Sequence, residues 1–246
     1  MLKLVLTSIT LLGFTTKVYL QSNKNYSCTI QLQHYVNQLP LLPNTSYSNI
    51  SGETYTVTKL QYYISNIQLH NAANELVSTV PTTHYLINAY DTTTTQLTFA
   101  ANNKQFSSIT FTIGVDSVYN VSGAQTGALD PLNGMFWTWN NGYIMAKLEG
   151  TSPNSQQPNY TYTYHIGGFK TYENTVRKVK LTITPQKIKK HKPTIILINV
   201  QLSKWFDGVH QLKINDNSNT MSTGAKAVQF ANNYATMFAL NKIYTP

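Results

Sequence analysis

Charge is scarce in this chain. Of its 246 residues only 11% are Asp, Glu, Lys or Arg, against a usual share of roughly 25%. Acid is scarcer still, with nine Asp+Glu against 18 Lys+Arg and a formal net charge of +9. The acids are scattered and never paired within one motif, so no two-carboxylate acid–base centre is written in the sequence. A single cysteine, Cys28, excludes an intramolecular disulfide framework and any zinc or iron–sulfur site built on thiolates. Glu, Lys and Ala, the strong helix formers, are thin, which excludes an all-helical fold and a coiled coil. No G-x-S-x-G elbow, phosphate-cradling glycine loop or H-E-x-x-H is present, and the chain reads as a non-enzyme.

What is there favours strands. Hydrophobic residues make up 41% and aromatics 12%, with 17 Tyr, and Thr, Tyr and the β-branched residues suit a pleated surface. That much core-forming material also argues against disorder. Met1-Leu2-Lys3 followed by the mostly apolar run from Leu4 to Phe14 reads as a secretory signal peptide over about residues 1–22. The run is about half as long as a membrane-spanning helix, so no transmembrane segment remains after processing. A lipoprotein signal would place Leu three residues before the cysteine, but Asn25-Tyr26-Ser27 precede Cys28, so lipidation is rejected. The expected product is exported and bacterial, in the periplasm or at the cell surface.

Beyond the leader, one domain over residues 27–240 is expected, with no linker and no repeat. Strand patterns run over Tyr55–Leu69, His84–Tyr90, Ser108–Val115, Tyr143–Leu148 and Tyr160–His165. Arg177–Thr184 and Thr194–Leu202 read as a hairpin about Pro185–Pro193, its second arm a continuous apolar run suited to a central strand. Helical spacing of Val228, Ala231, Tyr234, Ala235 and Phe238 predicts a helix over 224–239. The fold class expected is all-β: an antiparallel β-sandwich with a long irregular aromatic loop and a short C-terminal helix.

That loop, Asp116–Asn141, carries Trp137 and Trp139, and long aromatic loops are commonly functional or packed down as a plug. The run Asp130-Pro131-Leu132-Asn133-Gly134-Met135-Phe136-Trp137-Thr138-Trp139, then Gly142-Tyr143, resembles the signature of the MbnP family of exported, copper-associated bacterial proteins. Tyr164-His165-Ile166-Gly167-Gly168, Trp205-Phe206-Asp207-Gly208 and Asn232–Phe238 resemble later elements of that family. The resemblance implies copper as the bound metal and a role in metal acquisition or homeostasis. It implies a tryptophan oxidised to kynurenine by a dihaem MauG-like partner enzyme, at the position of Trp137. The related pattern is Trp-x-His, and here Trp139 stands where the histidine would be.

Copper favours imidazole. Among six histidines the candidate ligands are His165, which ends an aromatic strand beside two glycines, then His84 and His70. No pair has a spacing that forces convergence. Met135 and Met145 read as core filler. The alternative is a metal-free cell-surface module in which Trp137, Trp139 and Tyr143 form an aromatic platform for a glycan or a protein partner. A third reading has the loop only closing the sandwich. Lys170, Arg177, Lys178, Lys180, Lys187, Lys189, Lys190 and Lys192 concentrate the basic charge. Their densest part reads as a solvated hairpin tip, and export argues against nucleic acid. Five N-x-S/T sequons, at Asn25, Asn44, Asn49, Asn120 and Asn159, are expected by chance in so Asn-rich a chain.

Overall fold

The computed structural model describes residues 26–102, 104–138 and 141–246. The expected leader and Trp139 lie outside the described residues. The chain runs through β1 (Ser27–Val36), β2 (Leu39–Pro40), β3 (Ser46–Ser48), β4 (Thr54–Thr56), β5 (Lys59–His70), β6 (Leu76–Thr79), β7 (His84–Asn88), β8 (Gln96–Ala100) and β9 (Gln105–Ile113). After a short helix α1 (Ser117–Val121) come β10 (Phe136–Thr138), β11 (Gly142–Thr151), β12 (Thr161–Gly167), β13 (Arg177–Lys187) and β14 (Thr194–Gln201). The chain closes with β15 (Asn219–Thr220), α2 (Ala225–Tyr234) and β16 (Phe238–Tyr244).

Two sheets face each other, as expected of a sandwich. In the five-stranded sheet β1 is central. It alternates cleanly, turning Cys28, Ile30, Leu32, His34 and Val36 inward. β14 lies beside it in parallel register, from Cys28↔Thr194 to Tyr35↔Gln201, and β16 covers the far edge of β14. The nine-stranded sheet has β5 as its spine and sends Leu60, Tyr62 and Ile64 into the shared core. Phe111 and Tyr62 there meet Phe238 of the opposite sheet at ring separations of 5.0 and 5.8 Å. Cys28 is fully buried among these side chains, and burial pushes its thiol up to about 12, which leaves it unreactive.

Two local expectations are corrected. β13 and β14 are not a hairpin. β13 pairs with β9 in one sheet, β14 pairs with β1 and β16 in the other, and residues 188–193 cross between them. The apolar run of β14 suits a strand paired along both edges, and the two neighbours it takes are β1 and β16. The helix ends at Tyr234 rather than Ala239. Phe238, at helical spacing from Tyr234, is the first inward residue of β16, which carries the sandwich on to Tyr244. α2 itself buries Ala227, Phe230, Ala231 and Tyr234, and Phe230 sits 4.4 Å from the ring of Tyr164 on β12.

β5 changes phase midway. Leu60, Tyr62 and Ile64 face the core, but beyond Asn66 the inward residues are Ile67 and Leu69. Asn66 has φ 52 and lies at the register shift between Ser65 and Gln68, a bulge that turns the following residues over. Tyr63 and Ser65, which alternate with the inward residues ahead of the bulge, face outward while remaining fully buried, so something must cover that outer face.

His34 supplies a pH dependence. Its Nε2 lies 2.9 Å from the hydroxyl of Tyr62 inside the core, and burial lowers its pKa from 6.5 to about 4. The unfolded chain therefore takes up this proton first as pH falls. The stabilisation is complete above pH 6.5 and shrinks toward pH 4, by about 3 kcal/mol in all. Urea unfolding midpoints measured between pH 7 and 4 should fall accordingly, and His34→Gln should remove most of the fall. The same slope in the variant would assign the acid sensitivity to another group.

Candidate functional site

The outer face of the nine-stranded sheet is covered by the aromatic insert, and the pairing along β5 explains why. One edge of β5 carries β7 and then β6; the other carries β11 opposite Lys59–Tyr62 and β9 opposite Ile64–His70. β9 and β11 thus lie end to end along a single edge. The chain leaves that edge at Ile113, opposite Ile64, and returns at Ala146, opposite Tyr62. Everything between has to fold over the gap.

Its exit and return are fixed by hydrogen bonds. Gly114, at φ 114, turns the chain outward in a conformation that L side chains rarely adopt. Its N–H donates to the Tyr63 carbonyl at 3.0 Å, and its carbonyl accepts from Ser65 Oγ at 2.9 Å. Asn120 on α1 then joins the two ends: Nδ2 donates to the carbonyls of Val115 (2.9 Å) and Asp116 (3.0 Å), and Oδ1 accepts from the Tyr143 N–H at 2.8 Å. Asn120 is 1% exposed. Beneath it lies a second apolar cluster of Tyr63, Val115, Leu129, Met135, Tyr143, Ile144 and Met145. Both methionines are buried, and Met145 Sδ accepts from the Val115 N–H at 3.2 Å, so they serve as filler, as expected.

Tyr143 is not a surface aromatic. It is 1% exposed, donates its hydroxyl to the Leu129 carbonyl at 2.7 Å, and packs edge-on against Tyr63 and Phe136. It begins β11 under the insert, and the platform expected of Trp137, Trp139 and Tyr143 loses this member. Trp137 is half-buried on β10. Its ring lies over Gly167 of β12, with Cζ3 2.6 Å from where a β-carbon would stand. Only glycine permits that approach.

His165 is two residues from Gly167 on the same face of β12. Its Nε2 lies 2.8 Å from Glu149 Oε1 on the neighbouring strand, and Lys59 Nζ approaches the other carboxylate oxygen at 3.5 Å. Lys147, almost fully buried, donates from Nζ to the Gly134 carbonyl of the insert at 2.6 Å. The hydrogen bond from His165 holds the Glu149 carboxyl below the usual carboxylate range; Lys59 and Lys147 help, while burial opposes. Burial lowers the ammonium pKa of Lys147, with Glu149 opposing. The patch therefore holds an imidazole, a carboxylate and two ammonium groups beneath a half-exposed indole.

His84 and His70 occupy the same outer face but not this patch. His84, paired with Ser65, is 6% exposed, packs against the Tyr119 ring at 4.6 Å, and hydrogen-bonds through Nδ1 to Thr83 Oγ1 at 3.0 Å. Burial lowers its pKa, with Asp116 opposing. His70 ends β5 and places Nε2 3.1 Å from Thr110 Oγ1. Counting strands and residues through the register, any two of the three histidines stand roughly 14 Å apart or more. The expected ligand set of His165, His84 and His70 cannot close on one ion, and among the described residues no three His, Cys, Asp or Glu side chains do so. Register, which the sequence does not reveal, separates them. Sequence reasoning also missed Glu149, Lys147, Lys59 and Asn120. The alternation of Lys147 and Glu149 along one strand was the available signal.

The fold and site together are those of a two-sheet β-sandwich whose outer face is covered by an aromatic insert. The chain belongs to the MbnP family, which it matches over residues 25–222, a span that includes the insert and β12 and ends before α2. No curated protein matches it in sequence. Among solved structures, MbnP from Methylosinus trichosporium superposes with a TM-score of 0.54 at 12% identity, covering 74% of this chain and 77% of that chain. At that identity the likeness is one of fold.

Two substitutions test the site's architecture. Asn120→Ala leaves the Tyr143 N–H and the Val115 carbonyl unpaired and should cost about 2–3 kcal/mol in urea unfolding. Gly167→Ala should lift the Trp137 ring off β12 and alter the near-ultraviolet circular dichroism. An unaltered spectrum in Gly167→Ala would refute the indole–glycine contact.

Proposed function

We propose that the protein is an exported, non-catalytic, copper-binding member of the MbnP family acting in metal acquisition or homeostasis, and that His165 anchors the metal with Glu149 beside it. The supporting observation is that the fold brings this imidazole and this carboxylate within 2.8 Å on the face that Trp137 partly covers. Imidazole suits copper in either oxidation state, and a carboxylate suits Cu(II). His84 and His70 are too distant to share the ion. Copper bound here would be coordinated by few protein donors and completed by water or an external ligand. In the same reading Trp137, whose ring is partly open to solvent, is the residue that a dihaem MauG-like partner would oxidise.

One observation favours a second reading. Lys59 and Lys147 already neutralise Glu149, and two ammonium groups beside the carboxylate oppose a further cation. On that ground the face would be a metal-free binding surface centred on Trp137, serving a glycan or a protein partner. Trp139 lies outside the described residues.

Metal titration separates the two. Protein from its native host should bind copper, and His165→Ala should lower the affinity at least about tenfold, the worth of one lost ligand. His84→Ala and His70→Ala should leave copper affinity unchanged. A protein that takes up neither Cu(I) nor Cu(II), or whose uptake ignores His165→Ala, overturns the copper reading. Mass spectrometry of the peptide Met135–Lys147 reads Trp137 separately, and an unmodified residue alongside bound copper discards the oxidation alone.

A further inference from the structure

Residues 170–192 hold eight of the 18 Lys+Arg and one of the nine acids, and the fold gives this imbalance a direction. Two of the crossings between the sheets, from β8 to β9 and from β13 to β14, lie at one end of the sandwich. There Ser27 pairs with Ala100, Cys28 with Thr194, Ile195 with Tyr244 and Gln105 with Lys187. Lys104, Lys187, Lys189, Lys190 and Lys192 are all exposed at this end, and none makes an ion pair among the described residues. Lys180, seven residues before Lys187 on β13, reaches across to Asn74 Oδ1 at 3.0 Å. Glu75, in the same turn as Asn74, is the acid nearby and is held by Asn71.

This end has more than charge. Lys104 and Lys187 flank an open hollow of about 720 Å³ whose floor includes Val77 and Phe106. Two exposed side chains suited to a membrane interface, Leu76 beside Val77 and Tyr244 at the end of β16, belong to the same end of the sandwich, and Lys242 lies 5.0 Å from the Tyr244 ring centre. The chain also enters the fold here: Tyr26 immediately precedes β1, and its carbonyl accepts from Ala101 N–H at 2.9 Å. The sequence preceding it contains the apolar run Leu4–Phe14. The end at which the leader joins the sandwich is thus the end that carries the lysines.

We propose that this end is a docking surface for a bilayer with anionic headgroups, which holds the sandwich against the membrane with the insert facing away from it. Clustered lysines within a Debye length of such a surface are attracted to it. Their placement beyond the leader junction puts them at the bilayer from the moment of export. The proposal rests on the exported reading and is independent of copper. Protection of the β13 edge against pairing with another chain explains Lys178 and Lys180. It does not explain lysines in the crossover, which offers no strand edge.

The test is co-sedimentation of the full chain, without metal, with phosphatidylglycerol–phosphatidylcholine vesicles and with phosphatidylcholine vesicles. Binding should need phosphatidylglycerol and weaken as salt rises toward about 0.5 M. The exposed-site variant K187E/K189E/K190E/K192E, checked for folding by circular dichroism, should bind the anionic vesicles at least about tenfold more weakly. Both proteins share residues 1–25, including Lys3 and Lys17, so the difference between them on anionic vesicles isolates the basic end, and binding to phosphatidylcholine alone should be equal in the two. A folded variant that binds anionic vesicles as the parent does overturns the proposal. So does a parent that ignores the vesicles, even if it binds heparin or duplex DNA, because its basic end then serves a soluble polyanion. Free inorganic phosphate in the millimolar range should not compete, since the attraction is to a charged surface rather than to one headgroup.

Discussion

The hydrogen-bonding edge of β5 between Tyr62 and Ile64 governs the rest of the outer face. Two strands cannot pair with the same stretch of edge, so β9 stops where β11 begins, and the chain between them must leave the sheet and return two residues away. Alternation along β5 meanwhile leaves Tyr63 and Ser65 pointing out of the sandwich. A carbonyl buried without a partner, or a bare tyrosine face in water, would be costly. Gly114, Asn120 and the cluster about Tyr143 satisfy both needs. The insert is therefore a second small core built on the back of the sheet, with both its ends clamped by one asparagine.

That clamping decides how the patch around His165 works. Glu149 and Lys147 face outward from one strand and reach different partners: the carboxylate takes His165 and Lys59, while the ammonium reaches up to the Gly134 carbonyl. Charge on the sheet and the position of the loop are linked through these two side chains. Glu149 is linked to His165 by a hydrogen bond and to Lys59 and Lys147 by charge, and Lys147 in turn is bonded to the turn that leads to Phe136 and Trp137.

The fold was largely legible because its core strands alternate. Ile109, Phe111 and Ile113 of β9 and Tyr162 and Tyr164 of β12 all face the core as their period of two requires. What escaped was partnership. Nothing in Arg177–Thr184 and Thr194–Leu202 distinguishes a hairpin from a crossover, since the link suits either, and the continuous apolar run of β14 pointed only to a strand with a neighbour on each edge. Phe238 fits a helix and a strand equally well until its neighbours are known. At the site, Trp137 and His165 could be singled out one at a time by residue type. Glu149, Lys59 and Lys147 could not, because their meaning comes from register across three strands. Tyr143 was misread for a related reason, as an aromatic in a loop-rich segment looks exposed until the loop is seen to fold back over it.

Asn120 opens the sequon Asn120-Val121-Ser122, and its amide is the hinge pin of the insert, with Oδ1 so close to Gly142 that not even a methyl group fits between them. A glycan added there to the emerging chain would occupy the nitrogen that bonds Val115 and Asp116 and could not be accommodated after folding. The insert would then be barred from closing over Tyr63, whatever the quality of the rest of the sandwich. A secretion pathway that glycosylates nascent chains is for this reason an unsuitable source of the protein, and replacing Ser122 with alanine, which removes the acceptor while keeping the asparagine, is the change such a pathway would require.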